Sequence, residues 1–399
     1  MNIFQAYRNS FSGLSRQIWV LASVALVLRS GTMVVPFLTV YLTVQKNFSL
    51  AEAGLCMSFF GMGSVLGSYL GGLLIDKYGT YWVQFGALLS GGILIWALGY
   101  ADTVLTFSLL AFLLSTFTDS FRPAVMAAVV QHSQQGSQTR SLSLIRLAIN
   151  LGFSIGPSMG GIIAQSYGYS ALFWADGAIC LGAWMLFWVS VEKKAPSLAV
   201  SGSIQKDQKP LQSPYKDRKF LIFIALLMLC MIVFMQLMGT FPVYLKSELH
   251  MSETKIGSLL AANGLLIAIL EMPLVFSMEK RFKKLDLVSL GAVLIAFSYL
   301  ALTSNTYLGA WACILFLTFG EIIQFPFSNT YVVEKADKST GSYMGMYFMA
   351  IAVAQIVAPF LGMSIAQTFG FGVLWLFMAF LGLASAFGFW QLSRFSAKT

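Results

Sequence analysis

The sequence predicts an all-α membrane protein of about twelve transmembrane helices in two pseudo-symmetric six-helix bundles, on three observations. Apolar residues make up 57% of the 399 residues and charged residues only 10%, against about 25% charged in soluble domains. So few charges could not cover the surface of a soluble body of this size. Apolar runs long enough to cross a bilayer, about 20 residues each, recur along almost the whole chain. The two halves of the chain also echo one another at a nearly fixed offset.

The apolar runs and their polar breaks put spans at 17–43, 51–75, 81–100, 103–131, 141–166 and 170–190. A second set follows at 220–246, 254–278, 286–303, 306–333, 340–368 and 371–392. The first run, from near Ile18 to about Thr43, is too long for the core of a signal peptide, and no small-residue cleavage site follows it. Between the sets, Glu192 to Lys219 is rich in Lys, Ser, Gln and Pro and has no apolar period, the composition of a flexible connector. Residues 1–191 are therefore read as an N-terminal bundle, 192–219 as a cytoplasmic linker and 220–399 as a C-terminal bundle.

Lysine and arginine in the loops set the orientation. With the N-terminus inside, the cytoplasmic loops collect Arg8, Arg16, Lys77, Arg140, the linker basics, Lys280, Arg281, Lys283, Lys284, Lys335, Lys338, Arg394 and Lys398. The opposite side receives only Lys46, Lys246 and Lys255. Both termini are expected in the cytoplasm, and the membrane is expected to be a bacterial inner membrane.

The internal repeat is specific. Ile163-Ala164-Gln165-Ser166-Tyr167-Gly168-Tyr169 is echoed 202 residues later by Ile365-Ala366-Gln367-Thr368-Phe369-Gly370-Phe371, and Pro157 and Gly160 match Pro359 and Gly362 at the same offset. Tyr41-Leu42, Gly54 and Asp76 match Tyr244-Leu245, Gly257 and Glu279 at an offset of 203. Two halves of like orientation form the parallel repeat that puts a substrate cavity between them near the midplane.

Several function classes fall away. The net charge of +9 sits in short loops between apolar spans, which speaks for a lipid bilayer as partner and against nucleic acid. Cys56, Cys180, Cys230 and Cys313 lie far apart in apolar runs and read as small buried hydrophobes. His132 and His250 stand at helix ends without a second ligand, so neither metal nor cofactor is expected. No nucleophile–base pair appears on a cytoplasmic segment, and the G-x-x-x-x-G-K-[ST] loop of an ATPase is missing. An enzyme is not expected, and the molecule reads as a monomer.

Three local patterns carry a family resemblance. Gly72-Leu73-Leu74-Ile75-Asp76-Lys77-Tyr78-Gly79 resembles the G-x-x-x-D-[RK]-x-G loop of the major facilitator superfamily. An Asp76 carboxylate at a cytoplasmic helix end suits hydrogen bonds from a neighbouring helix N-terminus; Thr80 and Tyr81 stand where the family usually has basic residues. Gly152-Phe153-Ser154-Ile155-Gly156-Pro157-Ser158-Met159-Gly160-Gly161 resembles the G-x-x-x-G-P-x-x-G-G signature of drug:proton antiporters. Its glycines at every fourth position form a smooth stripe for close helix contact, and Pro157 permits a kink. Gly63, Gly67 and Gly71 repeat the device as packing. Asp119-Ser120-Phe121-Arg122-Pro123-Ala124 puts an arginine where antiporter members carry one, but continues to Met126 instead of the family's glycine. The opening around Arg29-Ser30-Gly31-Thr32-Met33 and Pro36 is similar to a multidrug-exporter-like branch. The resemblance implies a twelve-helix transporter, multidrug efflux by proton antiport, and conformational roles for Gly72, Asp76, Gly79, Gly152, Gly156, Pro157, Gly160 and Gly161.

Ionisable residues inside spans are costly and are candidate functional groups. Arg29 sits at the centre of the first span, and Asp119 and Arg122, three apart, share one face of the fourth. Arg146 and Asn150 share a face of the fifth with Ser154 and Ser158. Three arginines thus meet one clearly embedded carboxylate, Asp119, with Asp176 nearer the outer end of the sixth span. Arginine keeps its charge, so the proton carrier has to be a carboxylate, and the arginines must pair or meet an anion. Asp119 is expected to partner Arg29 or Arg122; a static internal salt bridge is the plainer alternative. In the second half, Glu271 and Glu321 have no embedded Lys or Arg to neutralise them, the setting in which a carboxyl group exchanges protons. Glu321 is mid-span, followed by Gln324 and Pro326, whereas Glu271 lies beside Pro273 and near Glu279. Asn263 and Gln236 are further cavity candidates.

The substrate and proton cavity is therefore expected from Arg29, Asp119, Arg122, Arg146, Asn150, Glu271 and Glu321. A proton-coupled secondary transporter working by alternating access is expected, exporting a small organic molecule by antiport. The arginine excess keeps open a proton symporter that imports an anionic nutrient, peptide or siderophore. A non-transporting receptor or assembly factor is the rival from another class.

Overall fold

A computed structural model describes residues 14–133, 138–193, 214–279, 281–336 and 340–396. Most of the connector, and Arg8, Lys280, Lys338 and Lys398, lie outside those residues. Among the described residues every regular element is helical. The first half has α1 (Arg16–Ser30), α2 (Val34–Val40, running into a π-type turn Tyr41–Gln45), α3 (Leu50–Gly99), α4 (Val104–Asp119), α5 (Phe121–His132), α6 (Gln138–Tyr167) and α7 (Ser170–Ser190). The second has α8 (Arg218–Phe234), α9 (Thr240–Ser247), α10 (Glu253–Glu279), α11 (Lys284–Leu302), α12 (Tyr307–Ala336) and α13 (Thr340–Ser396).

Ten helical stretches among the described residues are long and apolar enough to cross a membrane. Two exceed one crossing. The 50 residues of α3 and the 57 of α13, at about 1.5 Å per residue, run more than twice the ~30 Å hydrocarbon core. Each bends at one non-helical glycine, Gly79 (φ 82°) in α3 and Gly370 (φ 83°) in α13. The loops expected between 75 and 81 and between 368 and 371 are thus single-residue corners. The left-handed backbone there is strained for any side chain, which is why glycine occupies it.

The spans expected at 17–43 and 220–246 are found as the membrane-long stretches Arg16–Gln45 and Arg218–Ser247, but neither is one unbroken helix. α1 ends at Ser30 with Gly31 as its cap, and Thr32 and Met33 stand outside any helix before α2 begins at Val34. α8 ends at Phe234 and passes through a 3₁₀ turn, Met235–Leu237, to Gly239 (φ −94°, ψ −82°) before α9. Broken helices at membrane depth require partners for the freed backbone groups, and those partners come from distant sequence.

The described chain forms two compact units, Met1–Val35 with Phe59–Ser203, and Pro36–Ser58 with Ile204–Thr399. In the first, α1 packs against α5, α6 and α7. Ile18, Leu21 and Val24 share a buried core with Leu88, Val129, Ile145 and Phe187. Gly67 and Gly71 of α3 lie against Thr116 of α4 and Ser120 beyond it, where a Cβ at Gly71 would stand 2.8 Å from the Ser120 Cα. In the second unit α11 packs on α12 and α13, α8 on α13 and α10 on α12. Ser58 Oγ donates to the Ile356 carbonyl (2.7 Å), and Thr39 Oγ1 to that of Gly239 (2.9 Å). Asp217 caps α8 through the Phe220 N–H (3.1 Å) and pairs with Lys335 at the end of α12 (3.2 Å).

The repeat extends to backbone conformation. Gly168 and Gly370, 202 apart, both have φ 83°, and Asn47 and His250, 203 apart, are both left-handed at φ 55° and 48°. Asn47 and His250 each precede a membrane helix, so the loops that launch α3 and α10 are built alike.

Candidate functional site

The break in the first helix organises the first unit's site. The glycine stripe of α6 lies along α1 and the break. A Cβ at Gly152 would stand 2.6 Å from the Arg29 Cβ and 2.9 Å from the Leu26 carbonyl oxygen. At Gly156 it would stand 2.8 Å from the Thr32 oxygen and 3.1 Å from that of Arg29, and at Gly160 3.1 Å from the Met33 Cβ. The stripe is therefore the bed on which Arg29 and the three residues of the break rest. Pro157 sits within α6 without ending it, and Gly161 is buried beside the stripe.

On another side the break meets α7. A Cβ at Gly31 would fall 2.7 Å from the Ile179 Cγ2. The Asp176 carboxylate, 5% exposed, accepts through Oδ2 from the Met33 N–H (3.2 Å) and the Val34 N–H (3.1 Å). These are two of the donors that a new helix start leaves without intrahelical partners. Sequence reasoning put Asp176 near the outer end of its span and gave it no role. Its signal was available: an acidic residue in an otherwise uncharged apolar helix, with Gly31 and Pro36 flanking the middle of the first span.

Arg29 is half-buried, and the charges of both Arg122 and Asp119 act on it. The fold thus brings together the three groups expected to interact. The described ion pairs do not include a direct contact of Asp119 with either arginine, so they meet through space. Asp119 ends α4 half-buried, while Arg122 is exposed in the first turn of α5. On α6, Arg146 is exposed and Asn150 half-buried.

In the second unit α10 and α12 share a polar cluster. Asn263 Nδ2 donates to Thr318 Oγ1 (3.0 Å) and lies 3.3 Å from Glu321 Oε2. Thr318 also donates to the Ile314 carbonyl (2.6 Å). Asn263 is 4% exposed and Glu321 half-buried, so the amide orients the carboxylate from its buried side. Thr318, the anchor of the amide, was not singled out from the sequence. Glu271 is buried on α10.

Gln236 departs from expectation. It is fully buried, donates to the Ala358 carbonyl (3.0 Å) and accepts from Thr240 Oγ1 (2.8 Å). It holds the α8–α9 break. Asp76, in the motif ahead of Gly79, is exposed, and no described hydrogen bond reaches its carboxylate; Gly72 has open space around it. Among the described residues no group of three His, Cys, Asp or Glu side chains could hold a metal.

The family model for the Major Facilitator Superfamily matches residues 20–359 and again 237–398. The chain belongs to that superfamily. It is therefore an integral, multi-pass membrane transporter, and its fold is that of a solute carrier. Among its relatives, the uncharacterized MFS-type transporter YqjV of Bacillus subtilis is 26% identical over 349 residues, 86% of this chain and 84% of YqjV. A Na(+), Li(+), K(+)/H(+) antiporter of Planococcus maritimus is 26% identical over 405 residues, covering 92% of this chain and 93% of the antiporter. The crystal structure of the nucleoside transporter NupG superposes with a TM-score of 0.77 at 16% identity, covering 95% of this chain and all of the other; at that identity the match speaks for fold alone.

Proposed function

We propose that this superfamily member is a twelve-helix secondary transporter that exports a small organic molecule across a bacterial inner membrane in exchange for protons, with both termini cytoplasmic. Twelve crossings follow if the two stretches that bend at Gly79 and Gly370 each cross twice. Glu321 is the observation that carries the proposal. It is an ionisable side chain within a membrane helix, half-buried, and addressed by an amide that Thr318 holds in place. Ionised, it accepts from Asn263; protonated, it gives up charge and can donate instead. Gaining or losing a proton there changes the local bonding and so biases one state of an alternating-access cycle against the other. Antiport is supported by the antiporter-like glycine signature, 152–161, and by the likeness to the Planococcus Na(+), Li(+), K(+)/H(+) antiporter.

The residues proposed to handle substrate and protons are Arg29, Asp119, Arg122, Arg146, Asn150, Glu271 and Glu321. One observation favours a second proposal, symport of an organic anion. Two like charges, Arg29 and Arg122, act on each other, with Asp119 the one carboxylate acting on Arg29. The surplus positive charge suits an anionic substrate.

Proteoliposomes with an internal pH dye separate these readings. Substrate candidates are anionic metabolites, peptides, siderophores, lipophilic cations and monovalent metal ions. Antiport requires protons to move against the substrate, and Glu321→Gln to abolish that proton flux. Protons moving with an anion establish the symporter instead, and proton flux that survives Glu321→Gln removes Glu321 from the mechanism.

A further inference from the structure

Asp176 has no place in the proposed cavity, yet it is the buried carboxylate best engaged with the backbone in the first unit. Both of its bonds end on one oxygen, Oδ2, and both donors belong to the break between α1 and α2. The titratable groups on elements packed around it include Arg29 on α1, Tyr100 just past the end of α3, Arg140 and Arg146 on α6, and Cys180 on α7 itself. Of these only the Cys180 thiol is within reach of its charge. No cation balances the carboxylate among the described residues, so the two N–H groups are what hold it.

Its place in the chain gives the contact a mechanical consequence. Met33 and Val34 lie one turn beyond Arg29, and the chain passes from one compact unit to the other between Val35 and Pro36. The latched residues thus mount a cavity arginine and stand just before one of the points where the chain passes from one unit to the other. The corresponding break between α8 and α9 is held by Gln236, which cannot titrate.

We propose that Asp176 is a positioning residue for transport: its carboxylate latches the break in the first membrane helix, and protonation of that carboxylate frees the break. An ionised acceptor makes hydrogen bonds about twice as strong as a neutral one, so adding a proton weakens both contacts together. Freed, α2 can reorient relative to α1, and Arg29 loses its fixed mount. The inference concerns the hinge alone and stands whichever direction the cargo moves.

Hydrogen exchange of the full-length protein in lipid nanodiscs tests it without any substrate, at about pH 8 and about pH 5.5, with intrinsic exchange rates corrected. The peptide spanning Leu28–Phe37 is expected to lose protection by about tenfold at the lower pH, the scale of one charge-assisted hydrogen bond. The peptide spanning Val233–Thr240 is expected not to respond. Asp176→Asn should abolish the pH response of the first peptide, and Asp176→Glu should keep it with a displaced midpoint. An unresponsive wild-type peptide, an equal response in Asp176→Asn, or both breaks loosening together would overturn the latch. If Asp176→Asn does not fold, the comparison of the two breaks in the wild type and the Asp176→Glu midpoint still decide. Transport direction enters none of these readouts, so a failed antiport assay leaves them intact.

Discussion

Adding one methyl group at Gly152 should separate a packing stripe from a merely flexible one. A Cβ there would stand 2.6 Å from the Arg29 Cβ, 2.9 Å from the Leu26 carbonyl oxygen and 3.0 Å from the Ser30 nitrogen. Carbon atoms in ordinary contact keep about 3.5–4.0 Å, so α1 must retreat from α6 by about 1 Å. Two of the three obstructing atoms are backbone, which no rotamer change can clear. Overpacking of this kind costs roughly 1–3 kcal/mol, and for a body of this size each kcal/mol lowers Tm by about 2–4 °C. Gly152→Ala should therefore melt roughly 2–12 °C below wild type. Gly72→Ala is the control, because nothing lies within 4 Å of its added carbon. Alanine also suits a helix better than glycine by up to about 1 kcal/mol, so that variant should melt at or above the wild-type temperature. The four cysteines are buried and in no disulfide, so a thiol-reactive dye reports unfolding directly in detergent. Equal melting of Gly152→Ala and wild type, or an equal fall in Gly72→Ala, would refute the view that the stripe seats the first helix.

Three further outcomes follow from single residues. Gly370→Ala should cost about 1 kcal/mol or more through its left-handed φ of 83°. Gly372→Ala, two residues on and equally uncrowded, should be neutral, and matched melting curves for the two would discount backbone strain. Asp217→Ala removes the cap on the Phe220 N–H and the Lys335 ion pair; about 1 kcal/mol of lost capping should appear as a fall of a few degrees in Tm. Lys335→Ala should do less, since an ion pair to a partly exposed lysine adds at most about 1 kcal/mol; the opposite ranking would make the ion pair the main tie. Glu321→Gln should leave melting near wild type, because an amide oxygen still accepts from Asn263, while proton flux in proteoliposomes vanishes; intact flux would move the proton site elsewhere.

Sequence patterning carried the fold further than it carried the site, and the reason lies in where each interaction partner sits. Membrane burial writes itself into composition one residue at a time, so the apolar runs were readable. The repeat could be aligned by eye, and Gly168 and Gly370 share even their backbone angle. The two helix breaks were not readable, because hydropathy does not change where a helix stops hydrogen-bonding to itself. What decides a break is a partner for the freed groups, and that partner is remote: Asp176 stands 143 residues from Met33, and Thr39, which donates to the Gly239 carbonyl, stands 200 from it. The Asn263–Glu321 contact likewise spans 58 residues. Helical spacing put Asp119 and Arg122 on one face, but only the fold brings the charge of Arg29 into their field.

The repeat itself shows where function has diverged from architecture. At the same offset of 202, Asp176 corresponds to Met378, a fully buried apolar residue. The second half therefore has no carboxylate at that place, and its break is held instead by Gln236 on the Ala358 carbonyl and by Thr39 on the Gly239 carbonyl. Two breaks of similar form, one held by a group that can take a proton and one by a group that cannot, make the halves unequal towards pH. A proton moves a conformational equilibrium only where its interaction differs between the two conformations, and of the two breaks only the first offers it a carboxylate on which to do so. That inequality, more than the number of embedded charges, is the physical ground for placing a proton-sensitive hinge in the first half.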